Sequence, residues 1–112
     1  MRIAIPVTAG KLAQHFGHCE SFALIDVDPV ARRILERTDA TPPPHEPGVL
    51  PAWLADQGAN LILAGGMGSR ALQAFAAHGV GTFVGVPQQE PEALAEAYLA
   101  GEIAPGDNSC DH

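Results

Sequence analysis

The residues with the clearest chemical capacity lie close together, in the segment His15-Phe16-Gly17-His18-Cys19. Imidazole and thiolate groups bind zinc, copper and iron, and thiolates also hold iron–sulfur clusters. Gly17 lets the backbone turn so that neighbouring side chains can converge. The spacing is not a complete zinc signature, so a loop with two exposed histidines and a buried cysteine stays open as the alternative.

A second cysteine and a further histidine lie at the end of the chain, in Cys110-Asp111-His112. Taken alone, this segment predicts a polar and flexible tail without a function of its own. In combination with the first segment, a flexible arm that ends in Cys and His could close over a metal held there. The sequence leaves both interpretations open.

A glycine-rich segment, Gly65-Gly66-Met67-Gly68, separates an apolar stretch from Ser69, which predicts a helix cap. Backbone N–H groups at such a turn suit an anionic ligand, and we expect Met67 to add an exposed thioether. Residues 66–71 also match a variant dinucleotide fingerprint, G-x-G-x-x-A. However, the next strand ends in Gly85-Val86-Pro87, which offers no acidic residue for a ribose. A tight strand–helix turn is the simpler alternative.

Composition excludes several classes of protein. The chain has 112 residues, 46% of them hydrophobic and 17% charged, which fits one folded domain. The formal charge is −7 and no Lys or Arg follows Arg70, so binding of nucleic acid is not expected. No apolar run approaches the length of a membrane span, and residues 1–6 look like a strand rather than a signal peptide. We therefore expect a cytoplasmic protein with reduced thiols.

Strands and helices alternate in the second half of the chain, which predicts parallel pairing. Residues 29–40 are ambiguous, because Asp28-Pro29 suits either a helix start or the turn of a hairpin with a returning strand over 33–38. The whole pattern predicts a mixed sheet of about five strands with helices on both faces. The remaining strands are predicted at 2–7, 21–28, 60–64 and 81–86, and the helices end at Gly58, Gly79 and Gly101.

Catalytic arrangements are weakly represented. Asp26 and Asp28 could hold magnesium for nuclease chemistry, but the strand over 2–7 offers no partner carboxylate. The chain also shows no Ser–His–Asp or Cys–His hydrolase motif.

Taken together, these residues resemble the nitrogenase iron–molybdenum cofactor biosynthesis family, the small domain shared by NifX, NafY and the C-terminal part of NifB. The resemblance rests on the opening strand, the segment over 15–19 leading into Phe22, and the strand over 61–64 with its following glycines. It also includes the acidic tail with Gly106-Asp107-Asn108-Ser109-Cys110. The chain lacks the cysteine triplet of radical-SAM enzymes, so it resembles only the accessory or carrier module.

The resemblance implies an α/β, ribonuclease-H-like, three-layer fold in which the second and third strands form a hairpin. It also implies one domain over 1–101, with an acidic, flexible tail over 102–112. It further implies a nitrogenase-type accessory role. In this role the chain binds and carries an iron–sulfur or molybdenum–iron–sulfur cluster and does not act as a catalyst. We expect neither a nicotinamide nor a flavin cofactor.

Cys19 and His18 are the first-choice ligands of such a cluster and His15 is the next choice, while Cys110 and His112 form a possible lid. The expected cluster cradle comprises the glycine-rich segment, together with nearby side chains: Gly65, Gly66, Met67, Gly68, Ser69, Lys11 and Arg70. The expected partners are the cluster and a protein that donates or accepts it, with the chain a monomer or weak homodimer. Two alternatives stay open, a small-anion or nucleotide-binding module at 65–69 and a mononuclear zinc or copper protein.

Overall fold

The computed structural model describes residues 1–13, 19–44, 46 and 48–103. Over these residues the chain forms a mixed sheet of six strands with three helices. In chain order the elements are β1 (Arg2–Thr8), β2 (Lys11–Leu12), β3 (Ser21–Asp28), β4 (Arg33–Ala40), α1 (Val49–Asp56), β5 (Leu61–Leu63), α2 (Ser69–Ala77), β6 (Gly81–Phe83) and α3 (Pro91–Leu99). None of the helices in this part of the chain is long and apolar enough to cross a membrane.

The sheet is built around β1, because this strand is apolar on both faces and pairs on both sides. The strand order is β4-β3-β1-β5-β6, and the two-residue β2 pairs with the end of β1. β1 runs antiparallel to β3 and parallel to β5, which itself runs parallel to β6. The sequence predicted about five strands, and β2 accounts for the sixth because two residues carry no periodic signal.

Residues 29–40 form the return of a β-hairpin and not a helix. The carboxylate of Asp28 accepts the backbone N–H groups of Val30 and Ala31 at 2.9 and 3.0 Å, which closes the turn. The pairing register shifts between Asp26 and Val27 of β3, so Leu35 of β4 has no opposite residue. A bulge of this kind is common at sheet edges, where β4 lies.

Two apolar cores lie on opposite faces of the sheet, as expected for helices on both faces. Side chains of α3 pack with one face of β1, β3 and β5, and those of α1 and α2 pack with the other. Phe75 of α2 is buried in the core, whereas the neighbouring Ala76 is exposed. Gly58 and Gly79 follow the ends of α1 and α2 with φ of 82° and 75°, which confirms them as helix terminators.

Arg2 ties three elements together at the start of β1. Its guanidinium donates to both carboxylate oxygens of Asp26 on β3, at 2.7 and 3.1 Å, and to the carbonyl of Gln57 after α1, at 2.6 Å. The ion pair with Arg2 lowers the pKa of Asp26, mainly through the side-chain hydrogen bond. Both side chains are about one-third exposed, at 34% and 28%, so solvent screens part of the attraction.

We expect Asp26→Asn to lower the free energy of unfolding by about 1 kcal/mol at neutral pH. Because the folded-state pKa of Asp26 is depressed, its contribution is present above the unfolded-state pKa of about 3.9. That contribution is lost as the pH falls through the folded-state pKa. Urea unfolding of the parent and the variant, at neutral pH and below about pH 3, measures the difference.

The matched control is Asp56→Asn, because Asp56 is an exposed carboxylate at the end of α1. Its effect should stay within about 0.5 kcal/mol at both pH values. An Asp26→Asn loss that persists undiminished in acid would contradict the assignment to the ionised pair.

Candidate functional site

The predicted site segments follow strands that end at the same edge of the sheet. β1, β5 and β6 are mutually parallel, so their carboxyl ends lie together. Residues 9–20 follow β1, residues 64–68 follow β5, and residues 84–90 follow β6. Ligands of α/β sheets commonly bind outside this edge, which makes it the candidate functional site.

Hydrogen bonds anchor both ends of the segment that carries the His/Cys motif. The N–H of Ala13 donates to the carbonyl of Pro6 at 2.8 Å, and the N–H of Glu20 donates to the carbonyl of Val7 at 2.9 Å. These two carbonyls belong to successive residues of β1. The described residues on the two sides of 14–18, Ala13 and Glu20, are therefore both held at the carboxyl end of β1.

Glu20 and Gln89 add two further hydrogen bonds near the carboxyl end of β1. The sequence analysis did not identify either residue as part of the site. The carboxylate of Glu20 accepts the N–H of Ala9 at 2.7 Å, across a turn in which Ala9 and Gly10 have φ of 54° and 80°. The carbonyl of Gln89 accepts the N–H of Leu12 at 2.9 Å and so joins β2 to the segment after β6. Gly10 suits a two-residue hairpin turn, but such turns favour Asn, Asp or Gly at the position of Ala9, so the sequence carried only a weak signal of this turn.

Cys19 is half-buried at this edge and packs against the core on the α1–α2 face. Burial raises the pKa of its thiol to about 11, and backbone hydrogen bonds offset this only in part. The thiol is therefore protonated at neutral pH in the metal-free protein. A metal that binds the sulfur must displace this proton, so binding becomes easier as the pH rises.

The glycine-rich segment forms a short bridge from β5 to α2 and is tied to the segment after β6. The N–H of Gly85 donates to the carbonyl of Gly65 at 3.1 Å. Gly68, rather than the predicted Ser69, is the N-cap of α2, and no side chain caps this helix. A Cβ added at Gly68 would meet no heavy atom within 4 Å, so the space beside this helix end is open.

Met67 differs from the prediction. We expected an exposed thioether between glycines, but the side chain is 0% exposed and packs in the core on the α1–α2 face. The expectation was wrong because flanking glycines say nothing about which way the intervening side chain points. An unbranched Met fills an irregular gap in a core well, and here it fastens the glycine-rich segment to the sheet.

The two predicted cations of the site are both exposed. Lys11 lies in β2 and Arg70 lies in the first turn of α2, next to the exposed Ser69. Neither makes an ion pair within the described residues, in contrast to Arg2 and Arg37. Their charges are therefore available to an anionic ligand at this edge.

Four predicted ligands, His15, His18, Cys110 and His112, lie outside the described residues. Within the described part, no three His, Cys, Asp or Glu side chains are grouped so that they could hold a metal ion. The structure thus brings Cys19, Lys11 and the glycine-rich segment to one edge of the sheet.

A family model described as dinitrogenase iron-molybdenum cofactor matches residues 1–101. An uncharacterized protein of Methanocaldococcus jannaschii, MJ0580, is 31% identical over 87 residues, which span 74% of this chain and 73% of that protein.

Solved structures show the same fold. The crystal structure of PH0822 superposes with a TM-score of 0.83 at 27% identity and covers 95% of this chain and 96% of its own. The apo form of the orange protein from Desulfovibrio gigas superposes with a TM-score of 0.74 at 22% identity, covering 96% of this chain and 93% of its own. Because the identity to the orange protein is only 22%, this likeness concerns the fold alone.

The thiol of Cys19 is expected to titrate near pH 11 in the folded, metal-free protein. In a Cys110→Ser background, alkylation of Cys19 at neutral pH should be slower by about a hundredfold than for a thiol with the ordinary pKa, since the thiolate fraction falls tenfold per pKa unit. The measurement is the alkylation rate, or the ultraviolet absorbance of the thiolate, against pH. The same variant unfolded in urea serves as the control, and a folded-state midpoint equal to the urea value would refute the burial of this thiol.

Proposed function

This chain belongs to the dinitrogenase iron–molybdenum cofactor family, and we propose that it binds and carries a metal cluster. The proposed cargo is an iron–sulfur or molybdenum–iron–sulfur cluster, or its precursor. The chain would act as a non-catalytic accessory that receives the cluster from one protein and passes it to another. The family match, which spans residues 1–101, supports a role in cofactor handling and leaves the particular cluster to experiment.

One observation carries the proposal: a thiol and an uncapped helix start lie at the same edge of the sheet. Cys19 follows the anchored loop after β1, and α2 begins at Gly68 without a side-chain cap. Metal–sulfide clusters are commonly anionic, and their sulfides accept hydrogen bonds from backbone N–H groups. A cysteine sulfur supplies the coordinate bond while the helix start supplies donors, so the two parts suit one cargo.

The proposed ligands are Cys19 first, then His18, then His15, with Cys110 and His112 as further candidates from the tail. A carrier must release its cargo, which favours few ligands. The raised pKa of Cys19 fits this requirement, because the proton that metal binding expels can return to the sulfur on release. The sulfur is then left as a neutral thiol, which is a weak ligand.

Charge restricts how such a cargo is attracted. The chain carries a formal charge of −7, which repels an anionic cluster at long range. Lys11 and Arg70 are the exposed cations at the site edge, and we propose that they offset this repulsion locally. Retention then depends on coordinate bonds and short-range donors.

We also propose that the fold is ribonuclease-H-like, with a single domain over 1–101 and a separate acidic tail over 102–112. The strand order β4-β3-β1-β5-β6, with an antiparallel β1–β3–β4 half and a parallel β1–β5–β6 half, supports the assignment.

Anaerobic incubation with iron and sulfide, or with molybdate and sulfide, should give a protein with visible charge-transfer absorption. Cys19→Ser should lower the amount of bound metal at least severalfold, because the serine oxygen is a poor ligand for a sulfide cluster. Metal and sulfide analysis after gel filtration measures the amount of bound cluster. Cys110→Ser, treated in the same way, shows whether the tail contributes a ligand to the cluster.

The ligand assignment fails if Cys19→Ser retains as much cluster as the parent. Stabilisation by nucleotides but not by metals, in a thermal-shift series, would instead support an anion-binding module at 65–69. Zinc or copper in the freshly purified protein, without sulfide, would support a mononuclear site.

Gly68→Asp is expected to separate helix stability from cargo binding. An N-cap carboxylate should stabilise α2 by about 0.5 kcal/mol over Gly, since it accepts first-turn N–H groups and interacts favourably with the positive end of the helix dipole. The same carboxylate competes with the cluster for those donors and adds a negative charge, so retained cluster should fall. Urea unfolding and metal analysis on one sample measure both effects. Undiminished cluster in a stabilised variant would overturn the proposed cradle.

A further inference from the structure

The outer edge of β4 has no neighbouring strand among the described residues. β4 lies at the end of the strand order, beyond β3. Its eight residues contain no proline, and five of them are exposed: Arg33, Leu35, Glu36, Thr38 and Asp39. Alternate N–H and C=O groups of such a strand point away from the sheet and can pair with another strand.

The bulge in β4 restricts where a second strand can pair with this edge. The register shift places the bulge at Leu35, so β4 is irregular toward the hairpin turn and regular from Glu36 to Ala40. A bulge twists the edge and disfavours pairing beside it. Any added strand should therefore pair with residues 36–40.

The regular part of β4 carries opposite charges on one face. Arg37 lies opposite Ile25 and Asp39 lies opposite Ala23, which places both on the α3 face of the sheet. The Nε of Arg37 donates to Asp39 at 2.9 Å, and its Nη1 also contacts Glu92 of α3. Asp39 keeps a side-chain exposure of 55%, so its carboxylate is open to a further cation.

Among the registers centred on residues 35–39, antiparallel pairing of β4 with a second copy about a two-fold axis has one favourable choice. Centred on Thr38, it sets Arg37 of each copy opposite Asp39 of the other, with Thr38 opposite Thr38 and Glu36 opposite Ala40. Registers centred on Glu36, Arg37 or Asp39 set that charged residue opposite itself. A register centred on Leu35 sets Arg33 opposite Arg37. Like charges directly opposite destabilise a strand pair.

We propose that two copies of this chain associate through β4 in the register centred on Thr38. The dimer joins the two sheets edge to edge, and two Arg37–Asp39 pairs cross the interface on the α3 face. Only one strand from each copy takes part, so the interface lies at the small end of the size range for specific contacts. Association is correspondingly weak, with a Kd of about 0.1–1 mM.

Sedimentation equilibrium at chain concentrations between about 0.05 and 1 mM tests whether β4 mediates dimerisation, because this range spans the expected Kd. The parent should shift from monomer toward dimer, whereas Asp39→Arg and Arg37→Glu should each stay monomeric. An equimolar mixture of D39R and R37E should associate again, since every Arg then faces an acidic residue. Asp56→Arg makes the same charge change at an exposed position outside β4 and should behave as the parent.

The proposal is overturned if the parent stays monomeric at 1 mM chain, the upper end of the expected Kd range. Association of D39R equal to that of the parent, or a mixture that does not associate, also overturns it. Circular dichroism of each variant confirms that loss of association is not loss of fold.

Cross-linking tests the register itself. In a background of Cys19→Ser and Cys110→Ser, T38C places two thiols across the two-fold axis, with Cβ atoms about 5 Å apart. Mild oxidation should give a covalent dimer. E36C places its two thiols four residues out of register, about 13 Å apart along the strands, and should cross-link far more slowly. Faster cross-linking by E36C would refute the register centred on Thr38.

Discussion

The parallel pairing of β1 with β5 is the constraint on which the candidate site depends. It brings the chain that follows each strand to the same edge of the sheet, although about fifty residues separate the two segments. Without this pairing, Cys19 and the start of α2 would have no reason to lie near one another. The pairing is possible because β1 is apolar on both faces and is covered on each by a helical layer, as parallel strands require.

The described residues on either side of 14–18 are held by hydrogen bonds to β1. The N–H groups of Ala13 and Glu20 donate to the carbonyls of Pro6 and Val7, and the Glu20 carboxylate fixes the turn beside them. The described residues on both sides of 14–18 are therefore held at the carboxyl end of β1 by the sheet itself. Met67 has a structural role, since its buried side chain fixes the glycine-rich segment against the sheet.

Much of the fold followed from the sequence, and the exceptions have physical causes. Long apolar segments such as β1 and β3 were predictable because burial on both faces leaves a continuous apolar run. Residues 29–40 were ambiguous, since β4 is an edge strand whose pattern reflects solvent on one side and a hairpin turn on the other. β6 ends at Phe83 and not at residue 86, because Gly85 has a φ of 76° and breaks the extended chain. For the candidate site, residue types were enough to single out Cys19 and the glycines as candidates. The direction of the Met67 side chain and the role of the Gln89 carbonyl as an acceptor could not be predicted, because both depend on tertiary contacts.

The distribution of cations connects the site with the rest of the surface. Of the six Lys and Arg residues, Arg2 and Arg37 are committed to ion pairs that join β1 to β3 and β4 to α3. Lys11 and Arg70 remain exposed at the site edge, in a chain whose acidic residues outnumber its basic ones by 13 to 6. This excess of negative charge repels the anionic cargo proposed above from most of the surface, whereas Lys11 and Arg70 place positive charge at the site edge. For that proposed cargo, selectivity for the edge would arise from the acidic remainder of the surface as much as from the site itself.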